Sequence, residues 1–247
     1  MRYVFIASVG VALTFIGSCL VAAAETPPNS AISPQIEQQL PTYSPPKKLI
    51  PRARVGGGLR GTESEEPEIV ALVPDHVGLT VKQNPTLNWY LSKTTSHPLQ
   101  FTLNDTRKIR AIYEGFLPTP AEAGVQSINL KDLGLALEPN VQYRWFVSVR
   151  RNQDFYSEDK VAGGMIERCE FSECLTISSA KMTCDQESVR TNALIGLWYD
   201  AIDCVCSLIV KEPRDQSLRK MRAALLRQVG LNGVADWDLR SIQSESK

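Results

Sequence analysis

Short runs of apolar residues alternating with polar ones fill the chain from residue 68 to about residue 171. Pro, Gly, Asn and Asp residues separate these runs, as they do between strands. Alternate side chains of a strand face opposite sides of its sheet, so each run is typical of a half-buried strand. The runs cover residues 69–73, 79–81, 86–91, 99–103, 109–113, 125–130, 141–149 and 165–169. This spacing predicts an immunoglobulin/fibronectin-like antiparallel β-sandwich over residues 67–172.

The residues around Tyr143 sharpen this prediction. Leu137, Pro139 and Tyr143 have the spacing of a tyrosine corner, in which a tyrosine near the start of a late strand hydrogen-bonds the backbone just upstream. Trp89 is a candidate for the core tryptophan that faces this corner.

Beyond residue 180 the apolar residues recur three or four positions apart, which is typical of amphipathic helices. Pro213 ends the first predicted helix. The second covers residues 215–229, and Gly230 follows at the position of a C-cap. Because a short turn joins them, we predict a C-terminal helical hairpin packed on the sandwich, within a Cys-containing helical region over residues 173–247.

The start of the chain has the layout of a signal peptide, which we assign to residues 1–24. Arg2 precedes an apolar run over residues 4–21, and alanines at 22–24 precede Glu25, as signal peptidase requires. The sequence therefore predicts an exported protein, periplasmic or extracellular. Two alternatives stay open: an uncleaved signal would anchor the chain in the membrane, and the residues before Cys19 resemble a lipobox with lipidation at Cys19.

Residues 25–66 are predicted to form a flexible tether. Their first part is rich in Pro, Ser and Gln and lacks apolar periodicity, so it buries too little surface to offset chain entropy. A Gly-rich segment over residues 56–61 matches neither phosphate-loop motif, and we interpret it as a flexible entry to the first strand. Arg52, Arg54 and Arg60 are weak candidates for a binding strip there.

The composition narrows the classes of function. The 27 Lys and Arg residues balance the 27 Asp and Glu residues, so net charge gives no reason to expect a nucleic-acid partner. The chain has only two histidines, which are too few to form a His-rich metal site. We therefore expect no metal, no cofactor and no nucleic acid.

Five cysteines follow the predicted signal, all in the C-terminal third: Cys169, Cys174, Cys184, Cys204 and Cys206. In an oxidising compartment they predict a local disulfide framework with one thiol left over. Zinc is the alternative, but paired C-x2-C spacings are lacking. Residues two apart on a helix point in nearly opposite directions. We therefore predict that either Cys204 or Cys206 bridges to Cys184 or to a Cys169–Cys174 loop, joining helix to sandwich, and that the other stays free.

Four stretches resemble a known family. They are the Gly-rich segment from Arg54 to Gly61, Leu72-Val73-Pro74, Asn84-Pro85-Thr86, and Gly196-Leu197-Trp198-Tyr199-Asp200-Ala201. In this order they are similar to the landmarks of the cyanobacterial secreted family named domain of unknown function 928. The resemblance implies an exported cyanobacterial protein and supplies no catalytic residues.

Asp200 and Asp203 lie three positions apart on the first predicted helix. Paired carboxylates do acid–base work when a cleft raises the pKa of one of them. We expect this pair to lie on the solvated face of an amphipathic helix instead. His76 and His97 lie in predicted turns, outside any nucleophile-elbow or zinc-protease motif.

The sequence therefore predicts a non-catalytic interaction module of the cell envelope, with an envelope protein or polysaccharide as partner. Membrane contact is expected only through the signal segment or a lipidated Cys19. Two other functions stay open: a carbohydrate-active or other hydrolase that uses carboxylates, and a structural factor in envelope assembly.

Overall fold

The computed structural model of the chain describes residues 40–46, 53–56, 66–151, 159–170 and 183–244. The predicted signal segment with Cys19, and also Arg52, Arg60 and Cys174, lie outside these residues.

The strands form two sheets. The three-stranded sheet contains β1 (Ile69–Ala71), β3 (Thr86–Leu91) and β6 (Gly124–Asn129), in the order β1-β3-β6. The five-stranded sheet contains β2 (Gly78–Thr80), β8 (Lys160–Arg168), β7 (Gln142–Val149), β4 (Leu99–Asp105) and β5 (Tyr113–Leu117), in the order β2-β8-β7-β4-β5. Two sheets of short strands confirm the β part of the prediction.

One strand pair departs from the predicted antiparallel pattern. β2 runs parallel to β8, whereas the other pairs of the two sheets are antiparallel. The cause is the path of the chain, which leaves the first sheet after Ala71 and joins the edge of the second sheet at Gly78 without reversing into a hairpin.

Strand alternation builds the core between the sheets. On β4, Leu99, Phe101 and Leu103 are buried, whereas Gln100 and Thr102 between them are partly exposed. The register sets Leu103 of β4 opposite Trp145 of β7, and Trp145 is fully buried. The apolar faces of the two sheets meet in one cluster of buried residues.

The expected tyrosine-corner hydrogen bond is present. The backbone N–H of Glu138 donates to the Tyr143 hydroxyl oxygen over 3.1 Å, and the Tyr143 ring is buried. This contact fixes the segment that enters β7. Trp89 is buried as expected, although Trp145 and Trp198 lie deeper in the core.

The described part of the C-terminal region contains four helices rather than the predicted hairpin: α1 (Gln186–Leu194), α2 (Trp198–Lys211), α3 (Gln216–Gln228) and α4 (Asn232–Ser244). The stretch predicted as the first helix is divided into α1 and α2, because Gly196 between them has a φ of +86°, which few other residues adopt. Asp185 and Asp215 cap α1 and α3 by accepting backbone N–H bonds from Ser188 and Ser217. None of the helices among the described residues is long and apolar enough to cross a bilayer.

Sheets and helices share one core within a single compact unit from Gln38 to Lys247. Two stretches of the predicted flexible tether belong to this packing, which corrects that prediction for residues 40–46 and 53–56. Tyr43 is buried and meets the edge of Trp198 at a ring-centroid distance of 4.9 Å. Val55 pairs with Gly163 through two backbone hydrogen bonds. The stretch is polar on average, but Tyr43 finds apolar partners in the core, whereas Val55, whose side chain is exposed, is held through its backbone.

Candidate functional site

Two aromatic side chains at the start of α2 fasten the helix to both sheets. The Trp198 Nε1–H donates to the carbonyl of Leu72 over 2.8 Å. The Tyr199 hydroxyl donates to the carbonyl of Met165 over 3.1 Å and accepts the Nε1–H of Trp145 over 2.8 Å. Both rings are fully buried, and burial raises the pKa of Tyr199. Their polar atoms are satisfied, so this junction is structural.

Residues of the family resemblance converge on the same junction. Gly78 lies against the Tyr199 ring, where an added Cβ would meet Cε2 at 2.7 Å, so a larger residue has no room. The Arg54 Nη1–H groups donate to the carbonyls of Val73 and Val229 over 3.1 and 2.8 Å. Desolvation lowers the pKa of this guanidinium, and nearby Asp75 opposes that effect. Arg54, predicted as a binding candidate, is therefore occupied by backbone acceptors.

The two carboxylates of α2 are buried, which corrects the expected solvated face. The Asp200 carboxylate accepts the backbone N–H of Val81 over 3.2 Å, and Asp203 accepts the Lys82 ammonium over 2.6 Å. Desolvation raises the pKa of Asp200 to about 6, and the positive charge of Lys82 lowers it in part. Both are buried because this face of α2 packs on the end of β2 and on β3.

The Asp200→Asn substitution is expected to flatten the pH dependence of stability. The folded-state pKa of about 6 exceeds the ordinary value of 3.8. The folded chain therefore binds more protons than the unfolded chain between these values, and stability falls as pH rises through that window. At pH 7 the free energy of unfolding of the variant should exceed that of the native chain by up to about 3 kcal/mol. Urea denaturation from pH 4 to 7 checks this, and parallel curves for the two proteins would refute it.

The cysteines form a covalent link inside the helical region. Cys184, just before α1, is joined to Cys204 of α2, with their Cα atoms 5.4 Å apart. This is one of the pairings that the sequence left open, but it joins helix to helix and not helix to sandwich. Cys169 is also disulfide-bonded, with its partner outside the described residues. Cys206 is a free, buried thiol. The described residues contain no cluster of ligands suited to a metal ion.

Non-reducing mass spectrometry should find two disulfides and one thiol, at Cys206, that is alkylated only after unfolding. The Cys184–Cys204 bond spans 20 residues. Closing such a loop restricts the unfolded chain, so Cys184→Ser should lower the free energy of unfolding by about 3 kcal/mol. Denaturation with and without reductant measures this effect, and Cys206→Ala, which removes no link, is the control. Alkylation of Cys184 in the native chain would contradict the assignment.

A cleft of about 740 Å³, lined by apolar and polar side chains, lies beside the three-stranded sheet. Residues of β3, β5, β6, the 118–123 segment and α2 line it. A second cavity of about 210 Å³ shares three lining residues with it besides Asn88: Ser127, Cys206 and Val210. The two cavities therefore adjoin around Asn88.

Asn88 is the unusual residue of this cleft. It lies on β3 opposite Ser127 of β6 and is only 2% exposed. Neither its amide nitrogen nor its amide oxygen has a hydrogen-bond partner among the described residues. The Nε1 of Trp89, which also lines the cleft, is likewise buried without a partner. A buried polar group left unpaired costs about 1–3 kcal/mol, so Asn88 indicates a site for a ligand.

The charge of the cleft is negative. Its charged lining residues are Glu122, Asp132 and Asp203, and no Lys or Arg lines it. Asp203 is neutralised by Lys82, and Glu122 accepts the Thr94 hydroxyl over 3.0 Å. Asp200 does not line this cleft, so the two predicted carboxylates do not face one site.

The rim of the cleft is apolar. Phe116 of β5 is 66% exposed and Val210 of α2 is 81% exposed, although both are large apolar residues. The sequence analysis missed this site, because Asn88 looks like the polar member of an alternating strand. The only signal was an Asn inside the otherwise apolar stretch Leu87-Asn88-Trp89-Tyr90-Leu91.

The described residues define a β-plus-α protein, in which two sheets and four helices share a core beside a cleft. The chain belongs to the family described as Domain of Unknown Function (DUF928), whose model matches residues 55–239. This confirms the family predicted from sequence. No curated protein matches the chain. One solved structure, a multi-domain immunophilin from Arabidopsis thaliana, is 8% identical over 73% of this chain and 95% of that chain. The TM-score of this match is 0.18.

Proposed function

We propose that this protein is an exported, non-catalytic binding module of the cyanobacterial cell envelope, and that the cleft around Asn88 is its ligand site. The observation that carries the proposal is the buried Asn88 amide, which has no partner for either polar atom. A ligand that hydrogen-bonds this amide would recover the free energy lost in burying it.

The strand order supports an immunoglobulin-like form of the sandwich, a fold that commonly serves binding. In the second sheet, β2, which follows β1 in the chain, lies beside the last strand, β8. In the same sheet, β7 lies next to β4. The Glu138–Tyr143 hydrogen bond adds the corner typical of that fold. Export is supported by the signal-like first 24 residues and by disulfide-bonded cysteines, which persist in oxidising compartments.

The hydrolase alternative is less well supported. A glycosidase needs two carboxyl groups that face one bond across a cleft, about 5–9.5 Å apart. Asp203 lines the cleft and is paired with Lys82, whereas the Asp200 carboxylate accepts the backbone of Val81. Glu66 pairs with Arg151 and Glu68 with Lys160. Asp200 and Asp203, the carboxylates named from sequence, are thus occupied by structural contacts.

Capture of native envelope material by the full mature chain tests the proposal. Asn88→Leu keeps the side-chain volume and removes both polar atoms. It should abolish capture while leaving the free energy of unfolding unchanged or higher, because an unpaired amide is lost. Asn104→Leu on β4, which does not line the cleft, is the matched control and should capture normally. Capture that is equal for the native chain and Asn88→Leu would refute the assignment of the site and favour docking of an assembly partner elsewhere.

A further inference from the structure

We propose that the ligand of the Asn88 cleft is a neutral saccharide chain. This inference rests on the proposed function and specifies its ligand. It is drawn from three features of the cleft: the hydrogen-bonding needs of Asn88, the charge of the lining, and the exposed ring at the rim.

The Asn88 amide requires a ligand that both donates and accepts hydrogen bonds. Its nitrogen offers two donors and its oxygen is an acceptor, and all are unused among the described residues. An ammonium or guanidinium group only donates, and an ionised carboxylate only accepts. A hydroxyl does both, so neighbouring hydroxyls of one sugar ring satisfy the two ends of the amide.

The remaining lining favours hydroxyl groups and disfavours anions. Polar side chains from β3, the 3₁₀ helix Leu130–Leu133 and β6 line the cleft together with Asn88; they include Thr86, Gln126, Ser127 and Asp132. The Gln126 amide nitrogen donates to the carbonyl of Glu122, so its amide oxygen is the group left to accept a hydrogen bond from a ligand. Glu122 and Asp132 give this lining an excess of negative charge, although Lys82 neutralises Asp203, so a phosphate or an acidic polysaccharide is disfavoured there. Arg219 and Arg222 line only the smaller adjoining cavity, and Arg222 is paired with Asp238.

The size and rim of the cleft fit a chain of sugar rings. Its volume of about 740 Å³ lies within the range of about 300–1,000 Å³ that is common for ligand clefts. The Phe116 ring at the rim is two-thirds exposed. Sugar rings present faces of C–H groups, which pack on an aromatic ring while their hydroxyls point sideways. Phe116 therefore supplies a stacking platform beside the amide.

Competition for captured envelope separates the ligand classes. The native chain is bound to envelope material and challenged with three fractions of that envelope: neutral oligosaccharides, acidic oligosaccharides and tryptic peptides. We expect the neutral fraction alone to displace the protein and to quench the fluorescence of Trp89 in the cleft. Phe116→Ala should weaken this displacement about tenfold, the effect of roughly 1.4 kcal/mol. Ile109→Ala is the control, since Ile109 is fully exposed and does not line the cleft.

The outcomes distinguish the two proposals. Displacement by peptides or by the acidic fraction, with capture still lost in Asn88→Leu, would overturn the saccharide inference and leave the binding function in place. Failure of all three fractions to displace the native chain would also overturn it. Capture that is indifferent to Asn88→Leu would overturn both proposals. If the neutral fraction displaces Phe116→Ala as readily as the native chain, Phe116 does not stack on the ligand, and that part of the inference is wrong.

Discussion

Replacing Trp198 with alanine is expected to lower the free energy of unfolding by about 3–5 kcal/mol, the usual cost of truncating a buried tryptophan. The side chain is fully buried at the start of α2, and its ring forms a T-shaped contact with Tyr43. Its loss would leave a cavity and an unpaired carbonyl at Leu72. Urea denaturation followed by circular dichroism measures the change.

Val210→Ala on the same helix is the control. Val210 is 81% exposed, so its truncation should change stability by no more than about 0.5 kcal/mol. If Trp198→Ala fails to fold, Trp198→Phe keeps a ring in place and removes the N–H, with an expected cost of about 1–3 kcal/mol from the unpaired carbonyl. A loss below about 1 kcal/mol for Trp198→Ala would show that α2 is not held by this junction.

Breaking the buried ion pair between α3 and α4 should destabilise the protein to a similar extent. Arg222 donates from Nε and Nη2 to the two carboxylate oxygens of Asp238 over 2.8 and 2.5 Å, and both side chains are buried. Arg222 also donates to the Cys206 sulfur over 3.4 Å. Arg222→Met leaves the Asp238 charge buried without its partner, at a cost of about 3–5 kcal/mol. Thermal and urea denaturation at pH 7 measure this loss.

A double variant separates the charge effect from the packing effect. Arg222→Met combined with Asp238→Leu removes both charges, and most of the lost stability should return because no unpaired charge remains. The exposed pair Arg227–Asp236 bridges the same two helices, so Asp236→Asn is a matched control with an expected cost of less than about 1 kcal/mol. A double variant as unstable as Arg222→Met would mean that the pair acts through shape and not through charge.

Local patterns predicted most of the strands, although the run over residues 109–113 was wrong: Ile109 is exposed and the strand there is Tyr113–Leu117. Alternation of apolar and polar residues indicates a strand regardless of what packs on its sheet, so β4 and β7 could be predicted from the sequence. The short motif ending at Tyr143 was enough to predict the hydrogen bond of its hydroxyl. The helical region was harder, because the boundaries depend on Gly196 and on caps such as Asp215 that resemble ordinary loop residues.

Burial of polar groups could not be read from local sequence. Helical periodicity correctly grouped Asp200 and Asp203 on one side of α2, but their neighbours Val81 and Lys82 lie about 120 positions earlier in the chain. The same holds for Asn88, whose cleft is also lined by residues of α2 such as Cys206 and Val210. A site formed where distant segments meet leaves only a weak trace in the sequence of each segment.

The contacts of Tyr43 and Arg54 with the C-terminal helices have a consequence for the order of folding. The Tyr43 N–H donates to the Gln228 side chain 185 positions away, and Arg54 reaches the carbonyl of Val229 across 175. Contacts at such separations form late and slow the acquisition of structure. During synthesis the N-terminal segment has to wait for residues 228 and 229 before it can dock. The N-terminal segment therefore completes the fold only after the sheets and the C-terminal helices have been synthesised.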